Sequence, residues 1–324
     1  MKTLRQSNSL AGLLLTLLMC LAAVSAHAQT QHEEIKHPPG DFVTVNGARL
    51  WYETEGHGKP LLLIAGGPGA SHNYFHPYFS ALADSFRVIY FDAFGRGRSE
   101  RAKSLKEYTF TRDVDDVEGL RRALGLEKIN LIGHSYGGMV AQAYALKYPS
   151  SIKKLVLANT LFSAEMWQAN NDNCNNEIRN QYPEVWEKIQ RLRAQGLHSS
   201  AQEHQNAYGE VPLGLFYFYN ASRAGKEPLD VNPDVYYTIA GDDADFLIGG
   251  DMASVDFRVE LKRLSVPTLI LAGRFDRVAL PRFSVQFKRY APQAEFVMFE
   301  ESGHHPYIEE PDRTFNAIRK FLRK

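Results

Sequence analysis

Cysteine is scarce in this chain, with two in 324 residues, too few for a disulfide framework. An excess of one charge is also missing. The 37 Lys and Arg balance 37 Asp and Glu, so there is no basic surplus of the kind a nucleic-acid-binding face needs. Long apolar runs are nearly absent. The most extended, Leu10 to Val24 (LAGLLLTLLMCLAAV), falls short of the ~20 residues of a membrane-spanning helix. Glycine and proline are neither enriched nor periodic, which excludes collagen-like and low-complexity architectures. The composition that remains, 44% hydrophobic and 23% charged, is that of a globular chain long enough to bury a sizeable core.

The apolar run has its own reading. Lys2 and Arg5 precede it, and Ser25-Ala26-His27-Ala28 follows it as an A-x-A signal. A basic start, a short apolar stretch and small residues form the pattern of a secretory signal peptide. Residues 1–28 are therefore expected to be removed, giving a periplasmic or secreted product that begins near Gln29 and has no membrane attachment. Without Lys2 and Arg5 the chain carries 35 basic and 37 acidic residues, a net charge of −2, and Cys174 is its lone thiol.

The remaining chain alternates strand and helix patterns. FVTVNGARLWYETEG, from Phe42, places two alternating apolar runs around Asn46-Gly47, a hairpin signal. Short apolar runs follow at 60–65, 87–91, 128–132, 153–158, 267–272 and 294–299. Helical patterns lie between them at 111–126 and 139–148, and a last one at about 311–323. Such alternation predicts an α/β fold, a mostly parallel sheet with helices on both faces. Residues 161–261 break the rhythm. They are rich in Asn, Gln, Tyr and Trp, contain helical stretches and carry no buried strand run. They are expected to form a mainly helical cap inserted into a core made of 29–160 and 262–324.

The chemistry-bearing residues fall at expected strand ends. Gly133-His134-Ser135-Tyr136-Gly137 is a G-x-S-x-G pattern between the strand KINLI and a helix, the context of a nucleophile elbow. A serine hydroxyl needs an adjacent base, itself held by an acid. Asp276 follows the strand PTLILA, and His304 and His305 follow AEFVMF. The tetrahedral oxyanion also needs preorganised donors, and Ala65-Gly66-Gly67-Pro68-Gly69 follows PLLLIA. The backbone amides of Gly67 and Tyr136 are the candidates.

Together, GGPG at 66–69, FDAFGRGRS at 91–99, GHSYGGMVAQAYALKYP at 133–149, the Asp276 turn and GHHPYIEEP at 303–311 resemble the α/β-hydrolase superfamily, and within it the proline iminopeptidase group. The resemblance runs from about Asp41 to Phe321. It implies Ser135 as nucleophile, His304 as the base and Asp276 as its orienting acid. It implies no cofactor and a small peptide or ester substrate, with cap carboxylates holding the substrate amine. Asp245 and Asp242, in GDDADFLIGGDM, are the candidates for that role. Trp167 and Phe216 to Tyr219 are candidates for an apolar pocket. The sequence departs from the group at Ala65, where relatives have His, and at Ala93, where they have Gln.

An esterase or carbon–carbon-bond hydrolase with the same machinery is the alternative, and a non-catalytic binding protein with this fold is a further one. His72 and His76 stand four apart, but no H-E-x-x-H glutamate lies between them and Pro77 follows, so no metal site is expected.

Overall fold

The computed structural model describes residues 36–212, 214–223 and 230–324. The expected leader, residues 1–28, lies outside the described residues. Asn46 and Gly47 both take positive φ, 47° and 81°, and turn the chain tightly between β1 (Gly40–Val45) and β2 (Ala48–Glu55). This is the double positive-φ turn that matches strand twist, and Asn-Gly is the pair that enters it most readily. The remaining strands are β3 (Lys59–Ile64), β4 (Phe86–Phe91), β5 (Ile129–His134), β6 (Ile152–Ala158), β7 (Thr268–Gly273) and β8 (Glu295–Phe299). They form one sheet in the order β1-β2-β4-β3-β5-β6-β7-β8. The β1–β2 and β2–β4 pairs are antiparallel, and the rest are parallel.

The inner strands are buried on both faces, so their sequences read as continuous apolar runs. Successive side chains of β3 alternate between two cores. Leu62 and Ile64 pack with α1 (Phe110–Ala123) and α2 (Tyr136–Lys147), through residues such as Val117 and Val140. Leu61 and Leu63 face the opposite core with Phe315, Ile318 and Phe321 of the last helix. Leu63 is fully buried, and truncating it to Ala should cost about 2–5 kcal/mol.

Helix ends follow local chemistry. Thr109 caps α1 by accepting the Arg112 N–H, and Arg121 and Arg122 occupy the last turn, where the dipole favours cations. The expected helix at 111–126 ends earlier, at Ala123, because Gly125 takes a left-handed φ of 67°. The helix α2 stops at Lys147 because Tyr148 precedes Pro149 and is pushed out of the helical region.

Between β6 and β7 the described residues contain helices and no strand longer than an isolated bridge. The main ones are α3 (Ala164–Gln181), α4 (Pro183–Ala194), α5 (Gln202–Tyr208) and α6 (Pro233–Ala240), and the closing helix of the chain is α7 (Pro311–Arg323). Ile178, Ile189, Ala207 and Phe216 build a small separate core here.

The strand order decides where a site can form. From β3 the chain moves to one side to make β4, then returns to the other side to make β5. Connections leaving β3 and β5 therefore diverge, and a crevice opens beyond their carboxyl ends.

Candidate active site

Ser135 occupies that crevice. It links β5 to α2 with φ 55° and ψ −126°, a conformation that non-glycine residues rarely hold. The surroundings fix it: its N–H donates to Ala158 O at 3.0 Å and its C=O accepts from Gly138 N and Thr160 Oγ1. The tight turn also needs bare backbone beside it. A Cβ on Gly137 would lie 2.3 Å from Ile64 O, and one on Gly66 would lie 2.8 Å from Ser135 Cβ.

Of the two adjacent histidines, His304 is the one aligned with Asp276. Its Nδ1–H donates to Asp276 Oδ2 at 2.8 Å, whereas His305 Nδ1 meets the Tyr307 hydroxyl at 2.6 Å. Asp276 is almost fully buried and its oxygens are fully engaged. Oδ1 accepts the Val278 and Ala279 N–H groups, and Oδ2 also accepts Asn159 Nδ2 at 3.0 Å. Asn159 donates to Gly303 O as well, at 3.1 Å, so one side chain braces both the acid and the histidine loop. Ser135 and His304 line a single cavity of about 150 Å³.

Gly67 and Tyr136 border the same cavity. Tyr136 opens α2, so its N–H has no intrahelical acceptor and sits at the positive end of the helix dipole. The neighbouring Gly66 N–H is already used, donating to the Tyr74 hydroxyl at 2.6 Å, so Gly67 remains the candidate donor of the loop. The Gly66–Gly69 loop is held from below by Arg96, a fully buried guanidinium. Its Nε donates to Pro68 O at 2.8 Å, and both terminal nitrogens pair with Asp113. The Tyr136 hydroxyl donates to the same Asp113 at 2.7 Å. One buried ion pair thus ties the glycine loop to the residue following Ser135.

Two further groups, Tyr74 and the variable residue His134 of the G-x-S-x-G pattern, join the hydrogen bonding of the site. His134 Nε2 donates to His304 O at 3.0 Å, so its Nδ1 is the acceptor for the Tyr74 hydroxyl. Burial, then the neighbouring His304, pushes His134 well below the usual imidazole range, which keeps this neutral tautomer. The chain Gly66, Tyr74, His134, His304 therefore joins the two sides of the crevice by hydrogen bonds.

The four acidic residues of the 242–251 segment separate in space. Asp245 lines the cavity, half-buried, and accepts the Tyr237 hydroxyl at 3.1 Å. Burial raises its carboxyl to about 6. Asp242 does not reach the cavity. It is 74% exposed and pairs with His198 at 2.8 Å, because the turn between them points successive side chains apart. Asp243 is held by Arg193 and Ser199, and Asp251 caps α1 through the Phe110 N–H. Among the described residues, Asp245 is the one carboxylate lining the cavity. Its backbone is held by the polar face of α3: Gln168, Asn171 and Asn175 donate to Phe246, Ala244 and Asp245 carbonyls. Of the expected aromatic residues, Trp167, Phe216 and Tyr217 line the cavity, joined by Tyr208 and Tyr236, whereas Phe218 and Tyr219 do not.

A family profile described as "alpha/beta hydrolase fold" matches residues 59–311. The chain belongs to the α/β-hydrolase family. It is 30% identical over 291 residues to a proline iminopeptidase of Heyndrickxia coagulans, covering 87% of this chain and 97% of that protein. A proline iminopeptidase of Clostridium botulinum is also 30% identical, over 85% of this chain and 94% of its own length. A thermophilic esterase from Thermogutta terrifontis superposes with a TM-score of 0.61 at 29% identity, covering 88% of this chain and 98% of that one. This α/β hydrolase is an enzyme, and the proline iminopeptidase likeness spans 85–87% of its length.

Proposed function

We propose that this hydrolase is an exported aminopeptidase that releases one N-terminal residue, proline first among them, from short peptides. Asp245 carries the reading: a carboxylate lining an aromatic-rich cavity gives an α-ammonium group a counter-ion. Trp167, Tyr208 and Tyr236, which line the same cavity, would add cation–π attraction. The cavity, about 150 Å³, is small against the roughly 300–1,000 Å³ of drug-sized sites, which suits a single amino-acid residue. The 161–261 segment serves as the cap that closes it.

In this mechanism Ser135 Oγ attacks the scissile carbonyl. His304 takes the proton at Nε2, since Nδ1 is engaged by Asp276, and Asp276 stabilises the imidazolium that forms. The Gly67 and Tyr136 amides receive the oxyanion. His304 then returns the proton to the departing peptide amine, leaving an acyl-enzyme on Ser135. Water, activated by His304, cleaves that ester and frees the amino acid. No cofactor enters these steps. Export rests on the Lys2 to Ala28 pattern, and the exported chain should begin near Gln29.

The test compares prolyl 2-naphthylamide with its N-acetylated form, alongside fluorophosphonate labelling of Ser135. An aminopeptidase turns over the free amine far better. A second reading, an esterase, draws on the Thermogutta likeness and on the raised Asp245 carboxyl, which when neutral leaves a largely apolar acyl pocket. Equal turnover of both amides, with fast cleavage of simple esters, would favour the esterase.

A further inference from the structure

A second cluster of chemistry-bearing side chains lies outside the cavity. His37, from the segment before β1, Glu53 of β2, and His72 and His76, at the two ends of a short 3-10 turn, each offer one ligand atom. These four atoms all lie within 4.8 Å of one another. Glu53 Oε2 is 3.0 Å from His37 Nδ1 and 3.2 Å from both His72 Nε2 and His76 Nε2. A tetrahedral zinc ion with bonds of about 2.0–2.1 Å has donor–donor edges of about 3.3–3.4 Å. The three edges meeting at Glu53 are already near that length.

Hydrogen bonding alone leaves this cluster incomplete. His72 and His76 are each 1% exposed, yet His72 Nε2 and both nitrogens of His76 have no hydrogen-bond partner. The two Nε2 atoms sit 3.2 Å from the Glu53 oxygen without the alignment a hydrogen bond requires. Unpaired buried nitrogens are costly, and three imidazoles crowding one carboxylate oxygen compete for the same lone pairs. An ion at the centre would satisfy the Nε2 atoms of both rings together.

The outer contacts have the form of a metal site. His72 Nδ1–H donates to Asp92 Oδ1 at 2.7 Å, the carboxylate–histidine arrangement that orients a ligating ring. Asp92 is fixed in turn by the N–H groups of His72 and Arg98. Trp51 Nε1 donates to Glu53 Oε1 at 3.0 Å, which leaves Oε2 for the histidines. His37 is 33% exposed and supplies an entry path.

We infer that His37, Glu53, His72 and His76 form a structural binding site for a zinc-type divalent ion. Three imidazole nitrogens and one carboxylate oxygen suit zinc and argue against calcium or magnesium, which take oxygen ligands. Four protein ligands close the coordination sphere, so the ion holds structure and takes no part in hydrolysis. It would tie the segment before β1 to β2 and to the chain leaving the Gly66–Gly69 loop. Sequence spacing offered only the His72–His76 pair; the other two ligands come from elements 19 and 35 residues upstream of His72.

The experiment uses the untagged chain, stripped with dipicolinate and verified as folded by far-UV circular dichroism. Zinc is titrated with bound metal measured by mass spectrometry, and cobalt(II) serves as a spectroscopic probe. One ion per chain, intense visible absorption of the cobalt form, and a higher Tm with zinc are expected. His37→Ala removes a part-exposed ligand and should keep the fold while weakening zinc at least ~10-fold; Glu53→Gln should do the same. Folded protein that binds no zinc, binds it equally after His37→Ala, or gives the weak spectrum of octahedral cobalt would overturn the site.

Discussion

Replacing Asp245 with Asn separates two consequences of placing an acid in the cavity. Burial raises this carboxyl from 3.8 to about 6, so the folded protein holds the proton more tightly than the unfolded chain does. The stabilisation from that proton is complete below about pH 4 and is lost as pH rises through about 6. At about 1.4 kcal/mol per unit, ionising Asp245 costs the fold up to roughly 3 kcal/mol. Screening by pocket water reduces this to on the order of 2 kcal/mol. Asn cannot ionise and can still accept the Tyr237 hydroxyl. Asp245→Asn should therefore be more stable than the parent by that amount at pH 8 and nearly equal to it at pH 4, as read by urea denaturation. Activity should move the other way. Losing a charge-assisted contact to the substrate ammonium, about 1.5–3 kcal/mol, should lower kcat/KM for prolyl naphthylamide about 10- to 150-fold relative to an N-acylated ester. Equal stability gains at both pH values would refute the burial argument. An unchanged substrate ratio would refute the amine-binding role.

Three other perturbations test the surrounding machinery. Asp276→Asn should keep the fold but lower kcat by about 10³–10⁴, since the histidine loses the partner that sets its tautomer; a fall below tenfold would contradict the mechanism. Arg96→Ala strands Asp113 in a buried site with the Tyr136 hydroxyl as its remaining side-chain donor, and should cost about 3–5 kcal/mol in urea denaturation. A loss under ~1 kcal/mol would show that the ion pair does not hold the glycine loop. Burial pushes the Cys174 thiol up to about 12, so iodoacetamide at pH 8 should alkylate it orders of magnitude more slowly in the native protein than in urea; comparable rates would disprove its enclosure.

Much of this was legible in the primary sequence because it is local. The Asn46-Gly47 turn, the apolar strand runs and the helix stops are set by backbone preferences of a few adjacent residues. Ser135, Asp276 and the His304–His305 pair could be picked out because each lies within a few residues of the end of a recognisable strand, and only the family resemblance favoured His304. The misplacement of Asp242 has the opposite origin. Four acids within ten residues look equivalent in sequence, but turn geometry sends one to His198, one to Arg193, one to the cap of α1 and one to the cavity. In the sequence the run of α3 shows only as rich in Asn and Gln. Its Asn and Gln side chains instead hold the backbone around Asp245, a role that depends on a segment some 70 residues away.

The sequence by itself determined the class of fold and the strand-end placement of the candidate reactive residues, since both follow from short-range pattern and spacing, and its motifs carried the resemblance to the hydrolase family. Tertiary structure decided which histidine meets Asp276, which carboxylate enters the cavity, and how Arg96 and Asp113 join the Gly66–Gly69 loop to Tyr136. It also gathered His37 and Glu53 onto the His72–His76 pair. Each of these is a contact between distant segments, set by the strand order and by the need to satisfy buried charge. No local periodicity records them.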